Sequence, residues 1–265
     1  MVNQIEFTKM VASGNDFAVI EKVKLSAIRY PLSAIAKRIC DRKYGVGADG
    51  LLLLEKSNKA DIRMRIFNPD GSEPRMCGNA VTCASLYSAA NLKGLSIETK
   101  AGIIEAKVNR DRVKIKMTEP KDIKLGLPIK IAPQARHIKV NFIDTGVPHA
   151  VIFVEGLDKI DIVDIGRQIR FHKIFRPQGT NVDFVQILDD NNIRVRTYER
   201  GVEDETLACG TGTVAAALLY AIRKINVHTK SGEVLGVEFE KVNRKFNNVW
   251  LEGKARIVHT GVYYV

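Results

Sequence analysis

The chain has no uninterrupted apolar run long enough to cross a membrane. Its first residues, MVNQIEFTKM, lack the apolar core of a secretion signal. The expectation is a cytoplasmic protein with no membrane partner. Cysteine is scarce: four in 265 residues, none in a CxxC spacing. That excludes a disulfide scaffold and argues against a thiol–disulfide oxidoreductase, whose paired thiols sit close in sequence. The five histidines are scattered, so no zinc constellation and no metal are expected. Acidic residues are in deficit, 30 against 41 Lys and Arg, giving a net charge of +11. The basic residues alternate with apolar ones in IRMRIF and KVNRDRVKIKM, which places them on the wet face of strands. A solvated basic surface is therefore expected, with no nucleic-acid partner. A basic nucleic-acid module is the distant alternative, and it predicts salt-sensitive binding with dispensable cysteines.

What the chain does have is an internal echo. RMCGNAVTCASLYSAA (75–90) and LACGTGTVAAALLYAI (207–222) each open an alanine-rich helical stretch through Cys-Gly, at Cys77 and Cys209. Upstream, SGNDFAV (13–19) reads against QGTNVDFV (178–185). FNPDGSEPRMC (67–77) reads against YERGVEDETLAC (198–209), one residue longer. One thiol per half, each at a helix start, suggests two facing acid/base groups, which is what inversion of a carbon centre requires.

Strand patterns fill both halves. Two helices interrupt the first half. One spans about Ser33–Asp41 after Pro31, and one starts after Cys77 and stops near Asn91–Gly94. A soft break is expected at Thr118–Gln134, which holds three of the eight prolines. The second half repeats the plan, with helices at Ile162–Phe171 and after Cys209. The helices after the cysteines are small and apolar nearly all round, as buried helices are. The expected fold class is α/β of the α+β type. Two pseudosymmetric domains each wrap a strongly curved, mostly antiparallel sheet around a central helix. Residues 1–118, completed by 256–265, form one, and 119–255 form the other. The two cysteine-bearing helix starts would face each other across an interdomain cleft.

Gly45-Val46-Gly47-Ala48-Asp49-Gly50 fits GxGxxG, but a helix pattern precedes it and a strand follows, the reverse of a dinucleotide site. Cys209-Gly-Thr-Gly-Thr lacks the lysine and spacing of a P-loop. Free N–H groups at such a helix start can still hold a carboxylate or phosphate. The same partial positive charge is expected to lower the pKa of each thiol. Cys40 and Cys83 have no echo and read as core. His149 follows a Gly-Val-Pro turn at a strand entry and could be structural or catalytic. Glu199-Arg200 ends a strand ten residues before Cys209, as a surface ion pair or as site residues. Asn15, Asn68, Asn79 and Asn181 sit beside Gly or Pro, serving turns or a polar substrate.

SGNDF (13–17), YGVGADGLL (44–52), FNPDGSEPRMCGNA (67–80), GVPHAV (146–151), GTNVDF (179–184) and YERGVEDETLACGTGT (198–213) together resemble the diaminopimelate epimerase family, in order along nearly the whole chain. The resemblance implies an enzyme that interconverts LL- and meso-2,6-diaminoheptanedioate, on the route to lysine and peptidoglycan. It implies no pyridoxal phosphate, no other cofactor and no metal, and a homodimer. Cys77 and Cys209 would be the catalytic thiols, assisted by His149 and Glu199 near the reacting amino group. Gly78, Asn79, Gly210 and Thr211 would hold the α-carboxylate. Asn15, Asn68, Asn181 and Arg200 would read the distal end. Many relatives carry Asn where Val147 stands, and some carry Gln at Gly50. A proline or hydroxyproline racemase is the runner-up in the same fold. The Asn set with Arg200 speaks against it, because a single-centre substrate has no distal zwitterion to hold.

Overall fold

The computed structural model describes residues 4–25, 30–89, 94–131, 136–221, 223–243 and 245–265. It divides into two units, Met1–Ile115 with Glu252–Val265, and Lys116–Leu251.

The first unit runs β1 (Gln4–Ala12), β2 (Asn15–Glu21), α1 (Leu32–Cys40), β3 (Gly50–Glu55), β4 (Ile62–Phe67), α2 (Gly78–Ser88), β5 (Gly94–Thr99), β6 (Gly102–Asn109) and β7 (Arg112–Lys116). Neighbouring strands from β1 to β6 pair antiparallel, parallel, antiparallel, parallel and antiparallel in turn. The chain's last strand, Lys245–Tyr264, pairs with β1 and with β7, so the strands of this unit close into a ring. Inside the ring lies α2, which touches all six strands from β1 to β6. Its residues Ala80 to Ser85 are buried without a break. Only small side chains let strands approach a helix from every side, which is why this segment carries no amphipathic stripe. The outer face of the sheet is covered by α1. Ile35, Ala36, Ile39 and Cys40 recur at helical spacing and pack with Ala18, Ile20, Leu51 and Leu53. Of the expected stop of α2 near Asn91–Gly94, only Gly94 is described, and it opens β5; the rest lies outside the described residues.

The second unit runs β8 (Lys121–Ile131), β9 (Arg136–Asp144), β10 (Pro148–Phe153), α3 (Ile162–Arg170), β11 (Asn181–Asp189), β12 (Asn192–Glu199), β13 (Asp204–Thr206), α4 (Gly210–Tyr220), β14 (Lys224–His228) and β15 (Val234–Val242), and shares the last strand, β16 (Lys245–Tyr264). The ladder β9–β10–β11–β12–β14–β15 repeats the alternation of β1 to β6. At its centre, α4 touches each of those six strands and is buried continuously from Gly212 to Leu218. Outside, α3 packs Ile162 and Ile169 against Ala150, Ile152, Val182 and Phe184, the counterparts of the residues beneath α1.

Two expectations are corrected by this architecture. The break at Thr118–Gln134 is instead the strand β8 over most of its length. Pro128 is tolerated there because, among the described residues, β8 pairs with β9 alone and is an edge, and its register slips twice before Leu127. The echo of SGNDFAV in QGTNVDFV also fails. The ladders set Phe17 opposite Gly50 and His149 opposite Asn181. They set Leu51 opposite Phe67 and Val182 opposite Tyr198. The counterpart of Ser13–Val19 is therefore Thr145–Val151, while GTNVDFV enters the counterpart of β3. Short Gly-Asx entries to parallel strands look alike, and strand order alone separates them.

Gly166, in α3, tests the packing. A Cβ there would stand 2.5 Å from the Cβ of the fully buried Tyr198. Gly166→Ala is expected to destabilise by about 1–3 kcal/mol despite its better helix propensity, read as a lowered urea midpoint. An unchanged midpoint would show that α3 is free to lift off β12.

Candidate active site

Each central helix begins at a cysteine. Cys77 and Cys209 are the N-cap residues of α2 and α4, both in extended backbone, and their carbonyls accept the first helical bonds from Val81 (3.0 Å) and Thr213 (2.9 Å). The N–H groups of the next residues, Gly78 and Asn79 or Gly210 and Thr211, have no partner within their helix. All four cysteines are thiols. Cys40 and Cys83 are core residues, as expected, and burial pushes the Cys40 thiol up to about 12.

Cys209 caps a polar network that runs inward to a buried end. Its Sγ lies 3.4 Å from Thr211 Oγ1, which lies 2.9 Å from His149 Nε2. His149 Nδ1 is 2.7 Å from Asp183 Oδ2, and Asp183 Oδ1 accepts the Thr197 hydroxyl at 2.7 Å. His149, Asp183 and Thr197 are all buried. Burial of Cys209, with the carboxylates of Glu199 and Asp183 nearby, raises its thiol well above the usual value, and the Thr211 hydrogen bond only partly opposes this. The lowering expected from a helix start is thus overturned at Cys209. Desolvation and two facing negative charges exceed the pull of the helix terminus. Burial likewise raises the Glu199 carboxyl, opposed by Thr206 and, less strongly, by His149, which is the setting of an inward-facing group and not of a surface one. Asn181 is engaged twice. Its Nδ2 donates to the Pro148 carbonyl (3.1 Å) and its Oδ1 accepts the Arg200 backbone N–H (2.8 Å). Arg200 itself donates to the Gln178 carbonyl at 3.3 Å. The second unit therefore gathers His149, Asn181, Glu199, Arg200, Cys209 and Thr211 around one end of its sheet.

In the first unit, Asn15, Asn68, Cys77, Gly78 and Asn79 are all half-buried. Asn15 starts β2 and Asn68 follows β4, and the register puts these two strand ends at the same end of the sheet. Asn68 Nδ2 donates to Ser72 Oγ at 2.9 Å and closes the Pro-Asp-Gly turn. The GxGxxG segment is an ionic anchor. Arg42 donates to both oxygens of Asp16 (3.2 and 2.9 Å) and to Asp49 (2.7 Å), and Lys9 lies 2.7 Å from Asp16. Burial works to raise both carboxyls. Arg42 and Lys9 nonetheless hold Asp16 well below the usual range, and the Asp16 charge helps push Asp49 up. Asp16 and Asp49 flank Asn15 and Gly50, so the cluster fixes that end of β2 and β3.

Sequence reasoning missed a duplicated clamp. Glu73 and Glu205 each stand four residues before their cysteine. Glu73 accepts a two-point hydrogen bond from Arg65 (2.8 and 3.0 Å) and meets Lys100 at 2.8 Å. Glu205 accepts the same from Arg196 (2.6 and 2.8 Å) and meets Lys230 at 2.7 Å. Arg65 and Arg196 are ladder counterparts, so each loop is pinned to its own sheet just before its thiol. The extra residue before Cys209 is absorbed upstream of the clamp, in a turn between Glu199 and Asp204 with Gly201 (φ 95) and Glu203 (φ 60) in left-handed backbone. Also unflagged were Asp183 and Thr197. The available signal was a carboxylate inside the apolar strand NVDFV.

Solved structures share this fold of two units, each with strands around a central helix. A phenazine biosynthesis protein of the PhzF family from Bacillus anthracis superposes with a TM-score of 0.73 at 19% identity, over 98% of each chain. A hydroxyproline epimerase from Agrobacterium vitis gives 0.71 at 17% identity, over 99% of this chain and 93% of that one. Sequence is more specific. Residues 7–123 and 141–258 match the family described as diaminopimelate epimerase. Diaminopimelate epimerases from Archaeoglobus fulgidus (40% identical, covering 98% of this chain and 96% of that protein) and Chlorobaculum tepidum (41%, covering 95% and 98%) are among its relatives. The chain belongs to the diaminopimelate epimerase family and is an isomerase.

The clamp carries a pH signature. Arg65 first, then Lys100, hold Glu73 down at about 2, against 4.5 for an ordinary Glu. The folded-state pKa is the lower one, so the stabilisation is fully present above about pH 4.5 and is lost as pH falls towards 2. Glu73→Gln is expected to cost about 1.5–3 kcal/mol near neutrality, shrinking over that acidic window, in urea unfolding followed against pH. Equal stability of variant and wild type at neutral pH would remove the clamp.

Proposed function

We propose that the protein interconverts LL- and meso-2,6-diaminoheptanedioate by a two-base thiol mechanism, in lysine and peptidoglycan-precursor synthesis. The observation that carries the proposal is a thiol at the N-cap of the buried central helix in each half of a family member. The α-proton of an amino-acid zwitterion is very weakly acidic, so a thiolate removes it only if the developing carbanion is stabilised at that moment. The free N–H groups of Gly78, Asn79, Gly210 and Thr211 are suited to the α-carboxylate, where negative charge accumulates. One cysteine acts as thiolate and the other as thiol, on opposite faces of the carbon, and the roles exchange with direction. His149 and Glu199 assist near the reacting amino group. The distal end is read by Asn15, Asn68, Arg200 and Asn181, the last of which also braces the Arg200 backbone. The proposed setting is a cytoplasmic homodimer that uses neither cofactor nor nucleic acid.

Cys77→Ala and Cys209→Ala are each expected to abolish epimerisation of LL-diaminopimelate, and the wild type should leave L-proline unchanged. In deuterium oxide, label should enter mainly the product isomer at early times. Full turnover by either variant, or equal early labelling of substrate and product, would overturn the two-base reading.

A further inference from the structure

The two halves have diverged at one place. Ladder register equates His149 with Phe17, Asp183 with Leu52, and Thr197 with Ile66. The first half fills all three positions with apolar side chains that are buried. The fold therefore does not require polar groups there. Burying an imidazole, a carboxylate and a hydroxyl beside a central helix is costly unless they satisfy one another and serve a purpose. The helix makes room for them. A Cβ at Gly212 would stand 2.2 Å from Asp183 Oδ1, so α4 sits directly against the carboxylate.

The hydrogen bonds have a single consistent direction. A carboxylate only accepts, so His149 Nδ1 carries the proton facing Asp183. Nε2 is then an acceptor, which suits both donors turned towards it, the Thr211 hydroxyl at 2.9 Å and the Asn181 amide at 3.5 Å. Having given its one proton to Nε2, Thr211 Oγ1 can only accept from Cys209 Sγ. The Thr145 hydroxyl holds the Thr211 carbonyl at 3.0 Å and fixes the residue in place. The ionisable groups facing His149 are Asp183 on β11, Glu199 at the end of β12 and Cys209 at the start of α4.

We infer that Asp183 is a positioning residue that locks His149 in the Nδ1–H tautomer, so that His149 serves Cys209 through the Thr211 hydroxyl. The inference rests on the proposed role of Cys209 as a base. In the step it describes, the Cys209 S–H bond breaks and its proton passes to Thr211 Oγ1. The original Thr211 proton passes to His149 Nε2. A thiolate and an imidazolium result, the latter facing the Asp183 carboxylate, with no net change in protons or charge. In the first unit, the places equivalent to His149 and Asp183 are filled by the apolar Phe17 and Leu52. This route offsets the burial that otherwise keeps Cys209 protonated.

Asp183→Asn tests the inference. The amide can still accept from Thr197 while turning an N–H towards His149 Nδ1, which would force the Nε2–H tautomer. Nitrogen-15 spectra of the substrate-free enzyme, with His149 assigned through a His149→Gln variant, should show Nδ1–H in the wild type and Nε2–H in Asp183→Asn. Alkylation of Cys209 by iodoacetamide near neutral pH, followed by peptide mass spectrometry, should slow about tenfold or more. For LL-diaminopimelate, kcat should fall about 100-fold with KM within about threefold. kcat/KM should fall equally in both directions, as a fixed equilibrium constant demands. Thr211→Val, which leaves the His149–Asp183 contact intact, should keep the wild-type tautomer yet slow alkylation, and it replaces Asp183→Asn if that variant does not fold. An unchanged tautomer in Asp183→Asn, or unchanged Cys209 alkylation in either variant, overturns the relay. If tautomer and alkylation respond as stated in an enzyme that does not epimerise diaminopimelate, the relay stands and the proposed substrate falls.

Discussion

A helix enclosed by strands can present functional groups only at its ends, and everything distinctive in this protein follows from that constraint. α2 and α4 are each touched by six strands, and their middles are spent on packing. What remains for chemistry is the first turn, where N–H groups lack internal partners and where each helix places a cysteine as its cap. Small residues are the condition for this arrangement. A Leu-rich helix with a stripe would lie on a sheet and not within one.

Enclosure also governs the electrostatics. A thiol at an exposed helix start is eased towards thiolate, but at Cys209 desolvation and two nearby carboxylates reverse the sign. The groups that could relieve it are the half-buried Thr211 and the buried His149, and the positions matching His149, Asp183 and Thr197 in the first unit are apolar. Duplication thus supplied two equivalent frames, and divergence placed His149, Asp183 and Thr197 in one where the other carries Phe17, Leu52 and Ile66. The frames themselves are held alike. An Arg–Glu–Lys clamp pins the loop before each cysteine, so that loops of different length deliver their helix starts to the same place on the ladder.

Local pattern carried much of this. The alternating strands, the amphipathic α1 and α3, the uniformly apolar α2 and α4, and the two Cys-Gly starts are all readable within windows of a dozen residues. So is the family, since six motifs occur in order. The edge strand β8 was not readable, because prolines and glycine mark a break wherever local context alone is considered, and only its position at the rim of a sheet makes Pro128 acceptable. Nor was the true pairing of the repeats, since SGNDF and GTNVDF are alike as strings and differ only in which strand they enter.

Local pattern alone marks the residues able to do chemistry: two thiols at helix starts, a histidine at a strand entry, and the asparagines beside turns. The physical reason is that helix starts, strand periodicity and turns are short-range consequences of residue type. Tertiary structure alone decided which of those residues meet, and what charge state their surroundings favour. Asp183, Thr197, Glu73 and Glu205 find their partners because strand register brings distant residues within hydrogen-bond reach, and burial sets the energy of a charge. Neither register nor burial is a property of a short stretch of chain.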